Sequence, residues 1–176
     1  MKKKIVVTWL ALLALSVFSC DLFEAPDVHF DAKLPLDFIV DEGMVSSSPV
    51  DYYETRIIDA TDNADVAKYK DKIKDFKVNR VTYEITDFAA PGPVTFSNGK
   101  MVVASSGKTI ASAASVNLAN SSETDLSADI DGFNDLAARL KDDKQETVAL
   151  SGTFSSTPVA FKVRVNFYVT ITAKPL

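Results

Sequence analysis

The side chains that could do chemistry are few, and their spacing suits none of the familiar catalytic arrangements. His29 is the single histidine. No G-x-S-x-G elbow accompanies it, so a Ser-His-Asp triad lacks a positioned nucleophile, and His29 reads as a surface residue. Ser106-Gly107-Lys108-Thr109 matches the end of a P-loop, but Val102 stands where the first glycine belongs and a β-patterned segment follows in place of a helix. Ser127, Asp129, Asp131 and Gly132 match the first, third, fifth and sixth positions of a calcium loop, whereas the twelfth is Ala138 and not the bidentate Glu required there. Asp129 and Asp131 are the residues a metal would use; acids also gather at helix starts because of the helix dipole alone. One histidine and one cysteine cannot build a zinc shell. A glycosidase would need two carboxylates ~5–10 Å apart across a cleft, which spacing along the chain does not specify. Tyr52, Tyr53 and Tyr168 are available as sugar contacts, and strand packing explains them equally well. No catalytic or cofactor-binding residue is assigned; neither an enzyme activity nor a cofactor is expected.

The first twenty residues carry the clearest signal. Lys2, Lys3 and Lys4 precede an apolar run from Ile5 to Phe18, the pattern of a secretion signal, and the run is shorter than the ~20 residues that cross a bilayer. Val17-Phe18-Ser19-Cys20 resembles the lipobox of bacterial lipoproteins, with Phe18 replacing the usual small residue. The resemblance implies that Cys20 is acylated and becomes the first mature residue. It further implies a cell-envelope protein anchored in a membrane through Cys20, periplasmic or surface-exposed, with the outer membrane favoured in a Gram-negative source. Because one acyl chain anchors only marginally, the several chains of such a lipoprotein would hold the domain permanently. The expected division is a signal peptide over 1–19, a lipidated cysteine and short tether over 20–27, and a single domain over 28–176.

Loss of the three leader lysines takes the formal net charge from −5 to −8. So acidic a surface argues against a nucleic-acid partner, which requires a basic face. The most basic window, Lys68, Lys70, Lys72, Lys74, Lys77 and Arg80, is interrupted by Asp71 and Asp75 and reads as a solvated face.

The elements that must position these residues are mostly strands. Every even residue from Val28 to Val40 and every odd residue from Val159 to Ile171 is apolar, the alternation of half-buried strands. Pro35 assigns the first to an edge or a kink; the second, without an internal proline, belongs in the middle of a sheet. Further strands are expected near 52–59, where the pattern is less clean, and over 77–88, 110–118 and 148–154. Asn98-Gly99 suggests a type I′ hairpin turn within 94–104. Helices are expected over 64–75, from the spacing of Val66, Tyr69, Ile73 and Phe76, and over 128–141, capped by Ser127 and buried through Ile130, Phe133, Leu136, Ala137 and Leu140.

The expectation is therefore a mainly β protein: an antiparallel β-sandwich of about seven strands with two short amphipathic helices, or alternatively a partly closed barrel. The function that fits is a lipid-anchored, non-enzymatic binding module that contacts an envelope protein or a glycan through one sheet face or its loops. A carrier or chaperone for an apolar ligand held between sheet and helices is second and would need a cavity above ~300 Å³. An envelope hydrolase is third and would need convergent polar groups in a cleft.

Overall fold

The computed structural model describes residues 25–176; Cys20 and the leader lie outside the described residues. The chain forms an antiparallel β-sandwich of two open sheets. Its elements are β1 (Val28–Ser46), β2 (Val50–Asp59), a single 3-10 turn (Ala60–Asp62), α1 (Ala64–Tyr69), β3 (Ile73–Ala89), β4 (Thr95–Val103), β5 (Thr109–Asn117), the two-residue strands β6 (Thr124–Asp125) and β7 (Ser127–Ala128), α2 (Ile130–Asp143), β8 (Gln145–Phe154) and β9 (Thr157–Ala173). One sheet has the order β1-β9-β3-β6 and the other β2-β8-β4-β5-β7.

The two strictly alternating segments pair with each other. Val28 faces Ala173 and the register runs unbroken to Glu42 opposite Val159. Period-2 patterning therefore sends Leu34, Leu36, Phe38 and Val40 of β1, and Val163, Val165, Phe167 and Val169 of β9, to the same buried side. Phe38, Phe154 and Phe167 are wholly buried between the sheets, each such side chain contributing about 1.5–3 kcal/mol. β9 is central and β1 is an edge, as Pro35 requires.

Several expectations are corrected. The first helix stops at Tyr69 and does not run to 75. Asn63 caps it, accepting from the Asp65 and Val66 amides at 3.0 and 3.3 Å, and Ile73 and Phe76 then pair with Ala173 and Ile171 of β9. Their three-and-four spacing thus serves a helical turn followed by a strand. The second helix begins at Ile130 and is capped by Asp129, not Ser127; Ile130 is exposed, while Phe133, Leu136, Ala137 and Leu140 are buried as expected.

Asn98-Gly99 makes no hairpin. β4 continues through it, with Ser97 opposite Thr153 and Lys100 opposite Ser151, so that two residues face Gly152 alone. Asn98 takes φ 53°, and the result is a β-bulge. The neighbouring Phe96 ring lies over Gly152, where a Cβ would come within 2.2 Å of it. The chain reverses instead at Ser105–Lys108, where Gly107 has φ 73° and donates to the Val103 carbonyl at 2.7 Å. On β5, Ile110 is buried as expected, whereas Ser112 and Ala114 are exposed and Ala111 is buried.

Gly132 sets how closely α2 meets β5. A Cβ there would lie 1.8 Å from the Thr109 carbonyl oxygen and 2.8 Å from Ile110 Cα. In an open helix, Gly→Ala stabilises by about 1 kcal/mol; here Gly132→Ala should destabilise by about 1–3 kcal/mol through overpacking. Gly92→Ala, with nothing within 4 Å of the added carbon, should change stability by less than about 0.5 kcal/mol. Urea unfolding monitored by far-UV circular dichroism reads both values, and a stabilised Gly132→Ala protein would contradict this packing.

Candidate interaction surface

Three places could carry a function: the outer face of the four-stranded sheet, the space between the sheets, and the flank formed by β1 and β2. The outer face is mostly polar, with Pro35 and Ile39 of β1 as exceptions at its edge. His29, Asp31, Lys33, Asp37, Lys162, Arg164, Tyr168, Thr170, Lys77, Arg80 and Glu84 occupy it because their inward neighbours are apolar.

Two carboxylates organise that face. Asp37 accepts a bidentate pair from Arg164, Nε at 2.7 Å and Nη2 at 2.9 Å, and Lys162 lies 2.6 Å away. Glu123 reaches across three strands from the loop before β6. It accepts from the hydroxyls of Thr82 and Tyr168, the latter at 2.6 Å, from Asn166 Nδ2 at 3.2 Å and from Lys33 at 3.3 Å. Under that carboxylate Thr82 and Asn166 are buried, and Asn166 Oδ1 has no hydrogen-bond partner. The Thr82 hydroxyl above all, then Tyr168 and Lys33, lowers the Glu123 pKa to about 2; Arg164, followed by Lys162, lowers that of Asp37 to about 2.

The sequence-nominated residues separate in space. Tyr168 gives its hydroxyl to Glu123 and its ring to Arg80, whose guanidinium carbon lies 4.3 Å from the centroid. Tyr52 is buried and donates to Glu54, and burial first, then that hydrogen bond, pushes its hydroxyl far above the ordinary range. Only Tyr53 of the three is exposed. His29 Nδ1 lies 3.0 Å from Thr172 Oγ1 on the outer face.

Asp129 spends its carboxylate on the Asp131 and Gly132 amides, at 3.0 and 3.3 Å, as the cap of α2. Among the described residues no three His, Cys, Asp or Glu side chains are grouped to hold a metal. The Ser106–Thr109 stretch is the β4–β5 turn, and Ser106 donates to Asp135 at 2.6 Å. Ser106 first, then Arg139 and Lys108, lowers the Asp135 pKa. The basic window scatters as a solvated face does: Lys72 donates to the Pro175 carbonyl at 2.7 Å, Lys74 pairs with Asp27 at 2.7 Å, and Lys68 lies over the Tyr69 ring.

Between the sheets, Tyr52, Phe96, Met101, Leu126, Leu150 and Phe154 border an apolar cavity of about 70 Å³. That is well short of the ~300 Å³ that a bulky ligand occupies.

The flank is where apolar surface is left open. Ile39, Met44 and Val45 of β1 and Tyr53 and Ile57 of β2 are five of the seven exposed large apolar side chains among the described residues. Met44 and Val45, 85% and 87% exposed, form the corner between the two strands. Ile39 stands on the outer face of the four-stranded sheet and Tyr53 and Ile57 on that of the five-stranded sheet, with Met44 and Val45 at the corner that joins them; exposed apolar residues concentrated on neighbouring edge strands can mark a contact surface, whereas scattered single ones do not. Sequence reasoning passed over both Glu123 and this flank. Glu123 lies in turn-like sequence, and Tyr53 and Ile57 fall on the outward positions of a strand whose inward positions carry Glu54 and Arg56.

No family model matches the chain, and no curated protein does. Among solved structures the chain is similar to the decameric BFDV capsid protein, with a TM-score of 0.46 and 10% identity over 82% of this chain and 99% of that one. It is also similar to Desmodium yellow mottle tymovirus, at 0.43 and 13% over 90% and 97%, and to turnip yellow mosaic virus at 100 K, at 0.43 and 13% over 85% and 96%. Identities this low transfer no function.

The lowered carboxylates make a signed prediction. Unfolded, Glu123 and Asp37 titrate near 4.5 and 3.8, and folded near 2. The stability they contribute is therefore present above those unfolded values and is lost as pH falls toward 2. Glu123→Gln should unfold at lower urea than the wild type at pH 7, with the gap closing between pH 4.5 and 2. A gap of constant size across that window would mean that the Glu123 charge contributes nothing.

Proposed function

We propose that this protein is a lipid-anchored, non-enzymatic interaction module of the bacterial cell envelope, held in the membrane through acylated Cys20 and meeting an envelope protein along the β1–β2 flank. The observation that supports the flank is that five of the seven exposed large apolar side chains among the described residues fall on the two neighbouring edge strands, Ile39, Met44 and Val45 on β1 and Tyr53 and Ile57 on β2. An aqueous compartment penalises such a group unless something covers it. The anchor is supported by the lipobox-like Val17-Phe18-Ser19-Cys20 at the end of an apolar leader.

β1 begins at Val28, close to the tether, and its paired stretch to Glu42 covers roughly 45 Å at ~3.3 Å per residue. The Met44–Val45 corner lies beyond that stretch, at the opposite end of β1 from Val28. A protein partner fits the flank better than a glycan does, because four of its five exposed apolar side chains are non-aromatic and, of the three tyrosines that could stack on a sugar, only Tyr53 is exposed.

Two measurements test the reading. The full chain expressed in a bacterium should sediment with membranes, and Cys20→Ala should shift it to the soluble fraction; membrane retention of that variant would overturn the anchor. A photo-cross-linking amino acid at Met44 should trap an envelope protein in intact cells, and the same group at the exposed Gly92 should not. Equal labelling from both positions would remove the flank from consideration.

A further inference from the structure

We propose that the partner on this flank is a second copy of the chain, joined by antiparallel pairing of β2 with β2 about a two-fold axis through Thr55. The inference rests on the flank being a contact surface and goes on to name its occupant. β2 is the edge of the five-stranded sheet, and among the described residues no strand pairs with its outer side. Which of its main-chain groups face outward follows from its neighbours. The Ala60 amide donates to the Lys144 carbonyl at 2.8 Å, continuing the β2–β8 register, and the Thr147 carbonyl of β8 points the other way, to the Ala104 amide at 2.9 Å. Hydrogen-bonded pairs alternate along an antiparallel ladder, so the even residues of β2 bond to β8. Asp51, Tyr53, Thr55, Ile57 and Asp59 therefore present their N–H and C=O groups to the open edge, where the Thr55 carbonyl also accepts from Arg56 and keeps its second lone pair for a partner strand.

β2 is self-complementary in one register. With Thr55 opposite Thr55, Tyr53 faces Ile57 of the other copy and Glu54 faces its Arg56, each twice by symmetry. Aromatic–β-branched and opposite-charge pairs are favourable cross-strand neighbours. Shifting by one pair in either direction, as the outward main-chain groups require, puts Glu54 opposite Glu54 or Arg56 opposite Arg56. Within one copy Arg56 already pairs with Glu54 and donates to the Asp37 and Thr55 carbonyls, at 3.2 and 3.3 Å, so both side chains are held at this edge. The unfavourable pair in the matched register is Asp51 opposite Asp59, at the strand ends. There the Thr153 hydroxyl engages Asp51 at 2.9 Å and the Thr61 amide engages Asp59 at 2.8 Å. β2 has no proline or bulge to blunt it, and pairing would cover Tyr53 and Ile57 while joining two five-stranded sheets into one.

The test is disulfide trapping of the full chain in the membranes of the expressing bacterium, with copper phenanthroline as oxidant. Thr55→Cys places two thiols in a directly opposed pair with Cα atoms about 5.5 Å apart, within the 4.4–6.8 Å a disulfide spans. It should give a covalent dimer on a non-reducing gel. Tyr53→Cys should not, because its symmetry mate lies roughly 13 Å along the strand; this variant also reports any linkage through Cys20.

In the Thr55→Cys background, Glu54→Arg alone and Arg56→Glu alone should each cut the dimer several-fold. Co-expressing the two, differently tagged, should restore a mixed dimer, since each then presents the charge the other lacks; the intrachain pair cannot produce that rescue. Absence of the Thr55→Cys dimer, or equal linkage through Tyr53→Cys, overturns the proposal. Absence of the dimer together with a different protein trapped from Met44 overturns self-pairing and leaves the flank as a contact surface.

Discussion

The structure depends on β9. It is the centre of the four-stranded sheet, paired along nearly its whole length on both sides, to β1 from Val28 to Glu42 and to β3 from Ile73 to Ala89. One face of it supplies the floor of the core and the other the middle row of the polar surface. A period of two makes these inseparable, because a slip of one residue would exchange Val163, Val165 and Phe167 for Lys162, Arg164 and Asn166. The register is therefore fixed by burial on one side and by the Asp37–Arg164 and Glu123–Tyr168 contacts on the other. Since β9 lies between β1 and β3, the four-stranded sheet cannot form before residues 157–173 are available. Contacts between Val28 and Ala173 are as non-local as the described chain allows, which is the topology that folds slowly.

The polar face is more than a solvated surface. Glu123 comes from a loop that follows the β3 edge, with Ser121 donating to the Ile85 carbonyl at 2.9 Å and Leu126 to that of Val81 at 3.0 Å. Its carboxylate then lies over Thr82 and Asn166 and receives Tyr168 and Lys33 from β9 and β1. A single acid thereby connects the loop to three strands. Asp37 does the same for β1 and β9 on a smaller scale, with two cations of β9 converging on it. Bidentate and multiply donated carboxylates differ from ordinary surface ion pairs in that their geometry is fixed by several partners.

Much of the fold was legible because it followed from alternation. The edge position of β1 was signalled by Pro35, the central position of β9 by its unbroken pattern, and the buried stripe of α2 by its spacing. What was not legible depended on distant partners. Val66, Tyr69, Ile73 and Phe76 fit a helical face, and only the pairing of Ile73 and Phe76 with β9 ends the helix early. Asn98-Gly99 is a hairpin signal by local propensity; Gly152 on β8, with the Phe96 ring over it, makes a continuous bulged strand the better arrangement. β2 was poorly patterned for a physical reason: at the rim of the sandwich its inward positions hold Glu54 and Arg56, which satisfy each other and the β1 edge. Asp129 was noticed for its resemblance to a metal loop, and the same carboxylate proves to be the cap of α2.

The two strands of the flank solve the edge problem differently, and the difference bears on assembly. β1 is protected. Pro35 removes an amide from it, Arg56 occupies the Asp37 carbonyl, and charged residues stand at positions 31, 33, 37 and 41, devices that discourage edge-to-edge pairing. β2 lies beside it with no proline, and its central five residues carry only Glu54 and Arg56 as charges, Arg56 also donating to the Thr55 carbonyl at 3.3 Å; in the proposed self-pairing these two repel in a mismatched register and attract in the matched one. An edge left open by oversight would accept any extended chain. In the proposed pairing the two charges of β2 favour one register over the neighbouring ones, which adds specificity to a strand whose main-chain groups alone have none.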